Sequence, residues 1–174
     1  MVLSLVGENI ILRKAQKDDA PFMLKNVWSD ADAARMMLWQ PTSSQSDAQI
    51  RIERTIKFQA QTDAFLICLK TDEPIGFAGV KQVSPGVYED CGICIGKQYR
   101  GNGYGREALI LLLRLVFGYL HADAFYYSCF TQNIASAALC RSVGFKYAFS
   151  KMHTREHDGL EYTADYYILE SNKK

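Results

Sequence analysis

The chain has 174 residues, of which 48% are hydrophobic and 22% are charged, a composition ordinary for a globular protein with one buried core. Its 20 Lys and Arg residues balance its 19 Asp and Glu residues, so no net charge attracts nucleic acid. No apolar run approaches the ~20 residues of a membrane-spanning helix, so neither nucleic acid nor a membrane is predicted as a partner.

The first residues, MVLSLVGENIILRK, lack the basic stretch that opens a signal peptide, and Glu8 interrupts their apolar run. The five cysteines cannot all pair and lie in apolar surroundings, as is typical of buried thiols in a reducing compartment. Cys91 and Cys94 form a CxxC pair, but no second pair stands at zinc spacing, so no metal site is predicted. We therefore expect a single domain over residues 1–174 in the cytoplasm.

The first half of the chain predicts a strand, two helices and three further strands. Residues 9–15 alternate as in a half-buried strand, and Asp18 and Asp19 mark the start of the helix that follows. The second helix carries apolar side chains at every fourth position. The two helices are predicted over residues 16–30 and 44–61, and the three strands over 64–70, 75–83 and 87–96.

The second half predicts a long helix, a strand, a short helix and a closing hairpin. The long helix, up to residue 120, carries a full apolar stripe. Asn133 is placed to cap the short helix and Gly144 to end it. The strand is predicted over 123–131, the short helix over 132–145, and the hairpin strands over 146–156 and 160–170. Hairpins followed by strand–helix–strand units favour an α/β (α+β) fold, a mixed sheet with helices on both faces.

The segment QYRGNGYGREAL, before the long helix, has glycines at positions 101, 103 and 105. A dinucleotide fingerprint would need GxGxxG, and a phosphate-binding Walker loop would end in Gly-Lys-Ser/Thr, so neither pattern fits. A plain tight turn would not need three glycines. Bare amides at a helix N-terminus form an anion site, to which Arg100 and Arg106 could add charge-assisted hydrogen bonds. The segment therefore predicts a pyrophosphate site.

The same segment resembles the acetyl-CoA pyrophosphate loop of the GNAT superfamily of N-acetyltransferases, Gln/Arg-x-x-Gly-x-Gly/Ala, with Arg100, Gly103 and Gly105 in register. Downstream, NIASAALCRSVGF (133–145) resembles the superfamily's Asn-x-x-Ser-x-x-Leu-Tyr-x-x-x-Gly-Phe helix. The interval between the motifs and the order of elements along nearly the whole chain are also similar. Within the superfamily, the chain most resembles the subgroup of ribosomal-protein N-terminal and spermidine acetyltransferases.

The resemblance implies a mostly antiparallel seven-stranded sheet in which the strands over 87–96 and 123–131 splay apart to admit the pantetheine arm of acetyl-CoA. Backbone groups of the first of these strands would pair with pantetheine, whether or not the side chains belong to the core. Asn133 would contact the cofactor, cap its helix, or do both. The cofactor-binding residues implied are Ile93, Cys94, Ile95, Arg100, Gly101, Asn102, Gly103, Tyr104, Gly105, Arg106, Asn133 and Ser136.

Acyl transfer to an amine requires a base, because an alkylamine with a pKa of ~10.4 is protonated near neutral pH. Counting back from Arg100 places Asp90 on the family's acidic position, so Asp90 is the first candidate base and Glu89 the second. Alternatively, Asp90 is an exposed charge on a strand edge. Where the family carries a Tyr that protonates the leaving thiolate, this chain has Cys140, either a proton donor or a small apolar filler.

The expected activity is acetyl-CoA-dependent acetylation of a primary amine by direct transfer in a ternary complex. A protein N-terminus, a polyamine or another small amine would suit this chemistry. No cysteine lies in a recognisable Cys–His arrangement, so a covalent acyl-enzyme is not expected. The alternative is a non-catalytic acyl-CoA-binding domain of the same fold. A monomer and a homodimer are both compatible with the sequence.

Overall fold

A computed structural model describes residues 4–171. Within these residues the chain forms an eight-stranded sheet in the order β1-β2-β3-β4-β5-β6-β8-β7. The strands are β1 Ser4–Val6, β2 Ile10–Arg13, β3 Asp63–Leu69, β4 Pro74–Ser84, β5 Val87–Ile95, β6 Ala124–Phe130, β7 Lys146–Thr154 and β8 Glu161–Glu170. The helices are α1 Ala20–Met23, α2 Ala31–Arg35, α3 Gln45–Gln59, α4 Tyr104–Leu113 and α5 Ile134–Ser142.

The predicted fold class is confirmed, with two additions. The sheet has eight strands where seven were predicted, because the short β1 pairs antiparallel with β2; three residues are too few to show a periodicity. Helix α2 was also not predicted. It begins after Asp30, whose carboxylate accepts hydrogen bonds from the amides of Asp32 and Ala33, as an N-cap does. The single domain over residues 1–174 stays a prediction, since both its ends lie outside the described residues.

The helices cover both faces of the sheet. Helices α4 and α5 pack on one face, around the fully buried Leu112 and Phe125. Helices α1 and α3 pack on the other, around Ile52 and Leu66. Each face therefore has its own apolar core. No helix in the described range is long and apolar enough to cross a membrane.

Strands β5 and β6 form the single parallel pair in the described sheet. Their register runs from Val87 opposite Ala124 to Glu89 opposite Tyr126 and then stops. On its other edge, β5 is paired with β4 up to Ile95. The register between these two strands shifts once beside the gap, at Cys91 and Gly92 of β5. Beyond Glu89 the edge of β5 facing β6 is therefore without a strand partner, so the predicted splaying of these two strands is present.

Candidate active site

The glycine segment forms the turn that opens α4. Gly101 and Gly103 have φ angles of 82° and 80°, a left-handed conformation that glycine adopts at no steric cost. A Cβ added at either residue would meet no atom within 4 Å. Among the described residues nothing accepts a hydrogen bond from the successive backbone amides of residues 101–106. These free amides, at the positive end of a helix dipole, suit an anionic group.

A cleft of about 420 Å³ runs from this turn toward the gap between β5 and β6. It is lined by all but one of the residues predicted to bind the cofactor, namely Ile93, Cys94, Ile95, Arg100, Gly101, Gly103, Tyr104, Gly105, Arg106, Asn133 and Ser136. Asn102 is the exception. Its side-chain amide donates to the carbonyls of Tyr99 and Arg100 and thereby stabilises the turn.

Two polar side chains of the cleft are fixed by hydrogen bonds to the protein. Arg100 donates through Nε to the carbonyl of Ile95 and pairs with Asp30 at 3.3 Å, so its guanidinium is held at the mouth of the glycine turn. Asn133 accepts the amide of Ser136 through Oδ1 and caps α5 as predicted. Its Nδ2 has no acceptor among the described residues and remains available on the cleft wall.

Asp90 lies where β5 and β6 separate. Its Oδ1 accepts the backbone amide of Ser128 on β6 at 2.7 Å and the Ser128 hydroxyl at 3.3 Å. Its Oδ2 accepts the amide of Gly92 at 2.8 Å. The residue is only 6% exposed, and desolvation raises its pKa to about 6, against the opposing effect of these hydrogen bonds. The alternative that Asp90 is an exposed edge charge is therefore wrong.

Glu89 has a different environment. It is half-buried, and its carboxylate makes no hydrogen bond or ion pair with any described residue. Because alternate residues of a strand share a face, Glu89 lies on the same face as Cys91. That face carries α1 and α3, and Cys91 lines a second cavity there. Of the two candidate bases, Glu89 has the carboxylate with free acceptor sites.

Cys140 does not reach the cleft. Its side chain is fully buried in the core under α4 and α5, where its thiol donates to the carbonyl of Ala137 at 3.3 Å. Burial raises its pKa to about 12. Among the hydroxyl-bearing residues that line the cleft is Tyr127 of β6, whose hydroxyl forms a 2.7 Å hydrogen bond with Ser136 Oγ. Burial raises the pKa of this phenol, so it stays protonated and able to donate.

No motif in the sequence marks Tyr127, so its hydroxyl on the cleft wall was not predicted. Sequence reasoning also missed Met36 and Met37, which follow α2 and line the cleft opposite β5. No motif marks these methionines, because they come next to β5 only through the packing of α2. The CxxC pair is divided between sites: Cys94 lines the cleft and Cys91 lines the second cavity. In the described range, no cluster of His, Cys, Asp and Glu could hold a metal ion.

Comparisons with known proteins agree with this geometry. The family model described as an acetyltransferase (GNAT) domain matches residues 9–146. No curated protein sequence matches the chain.

Many solved structures share the fold. A GNAT-family acetyltransferase from Bacillus anthracis superposes with a TM-score of 0.83 at 16% identity, over 98% of this chain and 100% of that one. The microcin self-immunity acetyltransferase MccE, solved with acetyl-CoA and AMP, gives 0.82 at 17% identity, over 94% of this chain and 93% of that one. RimL, a ribosomal-protein alpha-N acetyltransferase, superposes with a TM-score of 0.80 at 18% sequence identity, over 98% of this chain and 96% of that one. At these identities the likeness establishes the fold.

Proposed function

Since the chain belongs to the GNAT acetyltransferase family, we propose that it transfers the acetyl group of acetyl-CoA to a primary amine, directly and within a ternary complex. One observation carries the proposal. A turn with unpaired amides opens a cleft that leads to the unpaired edge of β5. At this edge the carboxylate of Glu89 lies on the opposite face of the strand. Donor binding and amine activation then have adjacent sites on opposite faces of one strand.

The cleft suits acetyl-CoA in charge and shape. The amides of residues 101–106 and the guanidinium of Arg100 would hold the pyrophosphate, with Arg106 on the same wall. The free edge of β5 at Ile93–Ile95 offers backbone groups that the amides of pantetheine can pair with. The structural likeness to MccE, solved with acetyl-CoA, supports this assignment.

Direct transfer forms a bond from the amine nitrogen to the acetyl carbon while the bond from that carbon to sulfur breaks. One proton must therefore leave the amine and one must reach the sulfur. Glu89 takes the first, because its oxygens are free whereas those of Asp90 are engaged by Ser128 and Gly92. Asp90 positions the two strands around the gap. The hydroxyl pair of Tyr127 and Ser136 supplies the second proton.

The test is a panel of primary amines incubated with acetyl-CoA, with release of free thiol as the readout. Glu89→Gln should lower turnover by about a hundredfold, at the lower end of the range for general-base catalysis, without weakening acetyl-CoA binding. Glu53→Gln, at an exposed carboxylate on α3, is the matched control and should behave as wild type.

The possible outcomes are distinct. Stabilisation by acetyl-CoA without thiol release for any amine would favour the alternative of a non-catalytic acyl-CoA-binding domain. Absence of both would overturn the proposed function. Wild-type turnover in Glu89→Gln, with loss in Asp90→Asn, would return the role of base to Asp90.

A further inference from the structure

A second cavity, of about 180 Å³, lies between α3 and strands β3 to β5, on the face of the sheet that carries α1 and α3. Its most unusual feature is a stacked trio of side chains. The guanidinium of Arg51 lies 4.7 Å from the ring centroid of Trp28 and 4.7 Å from that of Trp39. Two indoles thus cover the guanidinium and stabilise its charge through cation–π contacts.

Arg51 has no carboxylate partner among the described residues. Its Nη1 donates to the carbonyl of Gln40 and to the hydroxyl of Thr42, which fixes the plane of the group. Its Nε and Nη2 have no acceptor within the described range. Burial lowers the pKa of Arg51 to about 10, the direction expected where desolvation is not offset by an anion. One fork-shaped edge of a half-buried cation therefore remains without an acceptor among the described residues.

A second polar group of the cavity wall is also without a partner. The indole nitrogen of Trp39 is buried and has no hydrogen-bond acceptor among the described residues, although buried polar atoms are nearly always paired. Two other polar side chains of the wall make hydrogen bonds within the protein. Thr55 donates to the carbonyl of Arg51, and Gln59 accepts the amide of Ala15. The unpaired groups are thus all donors, and a ligand that completes them must supply acceptors.

The cavity adjoins the gap between β5 and β6. Cys91 in its wall directly follows Asp90, whose carboxylate bridges the two strands. Glu89 lies on the same face of β5 as Cys91. Met37, two residues before Trp39, lines the cleft at the glycine turn. Its methyl carbon also lies close to Gly92, 3.2 Å from the position that a Cβ on that glycine would take. A molecule in the cavity would therefore reach toward the inner end of the cleft.

We propose that the cavity at Trp28, Trp39 and Arg51 binds the carboxylate of the acetyl acceptor, which makes the acceptor a small amine that also carries a carboxylate, as an amino acid does. The carboxylate accepts hydrogen bonds from the free edge of Arg51 in a bidentate arrangement, beside the two indole rings that contact the guanidinium. The assignment of an amine acceptor rests on the proposed function, whereas carboxylate binding can be measured without it.

The volume agrees with a ligand of this size. An apolar cavity of about 150 Å³ holds one benzene molecule, so about 180 Å³ accommodates a carboxylate and a short side chain. A long peptide would need to leave through the open side of the cavity. The small volume thus favours a small-molecule acceptor over a protein N-terminus.

The sequence provides its own probe, because Trp28 and Trp39 are its only 2 tryptophans. Intrinsic tryptophan fluorescence can be titrated with the common L-amino acids, each paired with its α-amide, in the absence of acetyl-CoA. We expect at least one amino acid to change the emission with saturation, and its amide, which lacks the negative charge, to bind at least about tenfold more weakly. The same pair should differ in kcat/KM when acetyl-CoA is added.

Three variants identify the groups responsible. Arg51→Met should weaken the carboxylate ligand by about 10–100-fold and leave its amide nearly unchanged. Arg51→Lys retains charge but loses the fork and should fall between wild type and Arg51→Met. Trp39→Phe keeps an aromatic ring beside the guanidinium and should leave the affinity for the carboxylate ligand within about twofold of wild type.

Thermal stabilisation by acetyl-CoA, measured on the same proteins, checks folding and separates this proposal from the proposed function. The proposal is overturned if no amino acid changes the emission, if acids and amides behave alike, or if the Arg51→Met protein still binds the acid normally while it responds to acetyl-CoA. Absence of any acetyl-CoA response in wild type would instead remove the proposed function and leave the fluorescence result intact.

Discussion

The cleft at the glycine turn and the second cavity, at Arg51, lie on either side of β5, yet they are built in different ways. The cleft takes its binding groups from contiguous stretches of backbone, at residues 93–95 and 101–106. The cavity takes side chains from positions as far apart as Trp28, Arg51 and Cys91. A backbone site leaves a local pattern of glycines and caps, whereas a side-chain site exists only after distant elements have packed. The cleft is accordingly the part that a family can share, and the cavity the part that a single chain can specialise.

The largest effect is expected where a side chain is added to the backbone site. With acetyl-CoA at a thousandfold excess over its dissociation constant, wild type should gain about 4 kcal/mol of stability. Gly103→Val should abolish this gain, because the new side chain blocks the approach of the pyrophosphate to the amides. Thermal unfolding with and without acetyl-CoA measures the difference.

Gly159→Val is the matched control. Gly159 also has a left-handed φ, of 71°, and open space around an added Cβ, but it lies in the turn between β7 and β8. Backbone strain should lower the free energy of unfolding of both variants by about 1–2 kcal/mol. Only Gly103→Val should also lose the stabilisation by acetyl-CoA. A normal response in Gly103→Val would contradict the backbone character of the cleft.

A smaller effect is expected at Asp90, which stands between the two sites. Its folded pKa of about 6 lies above the ordinary 3.8, so the folded state binds the proton more tightly than the unfolded state. The contribution of Asp90 to stability is then fully present below about pH 4 and is lost as pH rises through 6. Because the pKa is raised from 3.8 to about 6, the loss of stability is about 3 kcal/mol.

Urea unfolding of wild type and Asp90→Asn from pH 4 to pH 7 tests this sign. In the variant, the NH₂ group of Asn faces one of the two backbone amides, that of Gly92 or that of Ser128, and the hydrogen bond there is lost. This loss lowers the stability by an amount that does not vary with pH. The free energy of unfolding of the variant, relative to that of wild type, should therefore rise steadily up to about pH 6 and then stay constant. A difference that stays constant across this range would show that Asp90 is not desolvated.

The smallest effects on turnover are expected from two candidate proton donors, Tyr127 on the cleft wall and Cys140 away from it. A thiolate is already a tolerable leaving group, so a proton donor helps only modestly. Tyr127→Phe should lower turnover by about tenfold, or ~1.4 kcal/mol in barrier. Cys140→Ala should cost less, because its thiol is buried away from the cleft. Turnover at saturating acetyl-CoA measures both, and a hundredfold loss in Cys140→Ala with unchanged acetyl-CoA affinity would reverse this ranking.

The sequence predicted those features that depend on nearby residues. The glycine turn, the cap at Asn133 and the apolar stripe of α4 follow from short-range rules, and two motifs at a fixed interval indicated the fold. The burial of Asp90 could not be predicted, because it depends on Ser128, 38 residues away, donating to its carboxylate. The orientation of Tyr127 toward Ser136 and the contact of Arg51 with two indoles depend likewise on tertiary packing.

The short contact between β5 and β6 has a consequence for how the protein opens. Strands β1 to β5 form one continuous antiparallel ladder, and β6, β8 and β7 form another. Across the described sheet, these ladders meet through three residue pairs, the hydrogen bonds of Asp90 to Ser128, and the amides of Asp123 and Ala124, which donate to the carbonyl of Gly86. A seam with so few hydrogen bonds opens at a lower free energy than either ladder. A ligand that binds along the seam would protect the backbone amides of the seam from hydrogen exchange. Because it contacts both ladders, it would also make these two cooperative units unfold together.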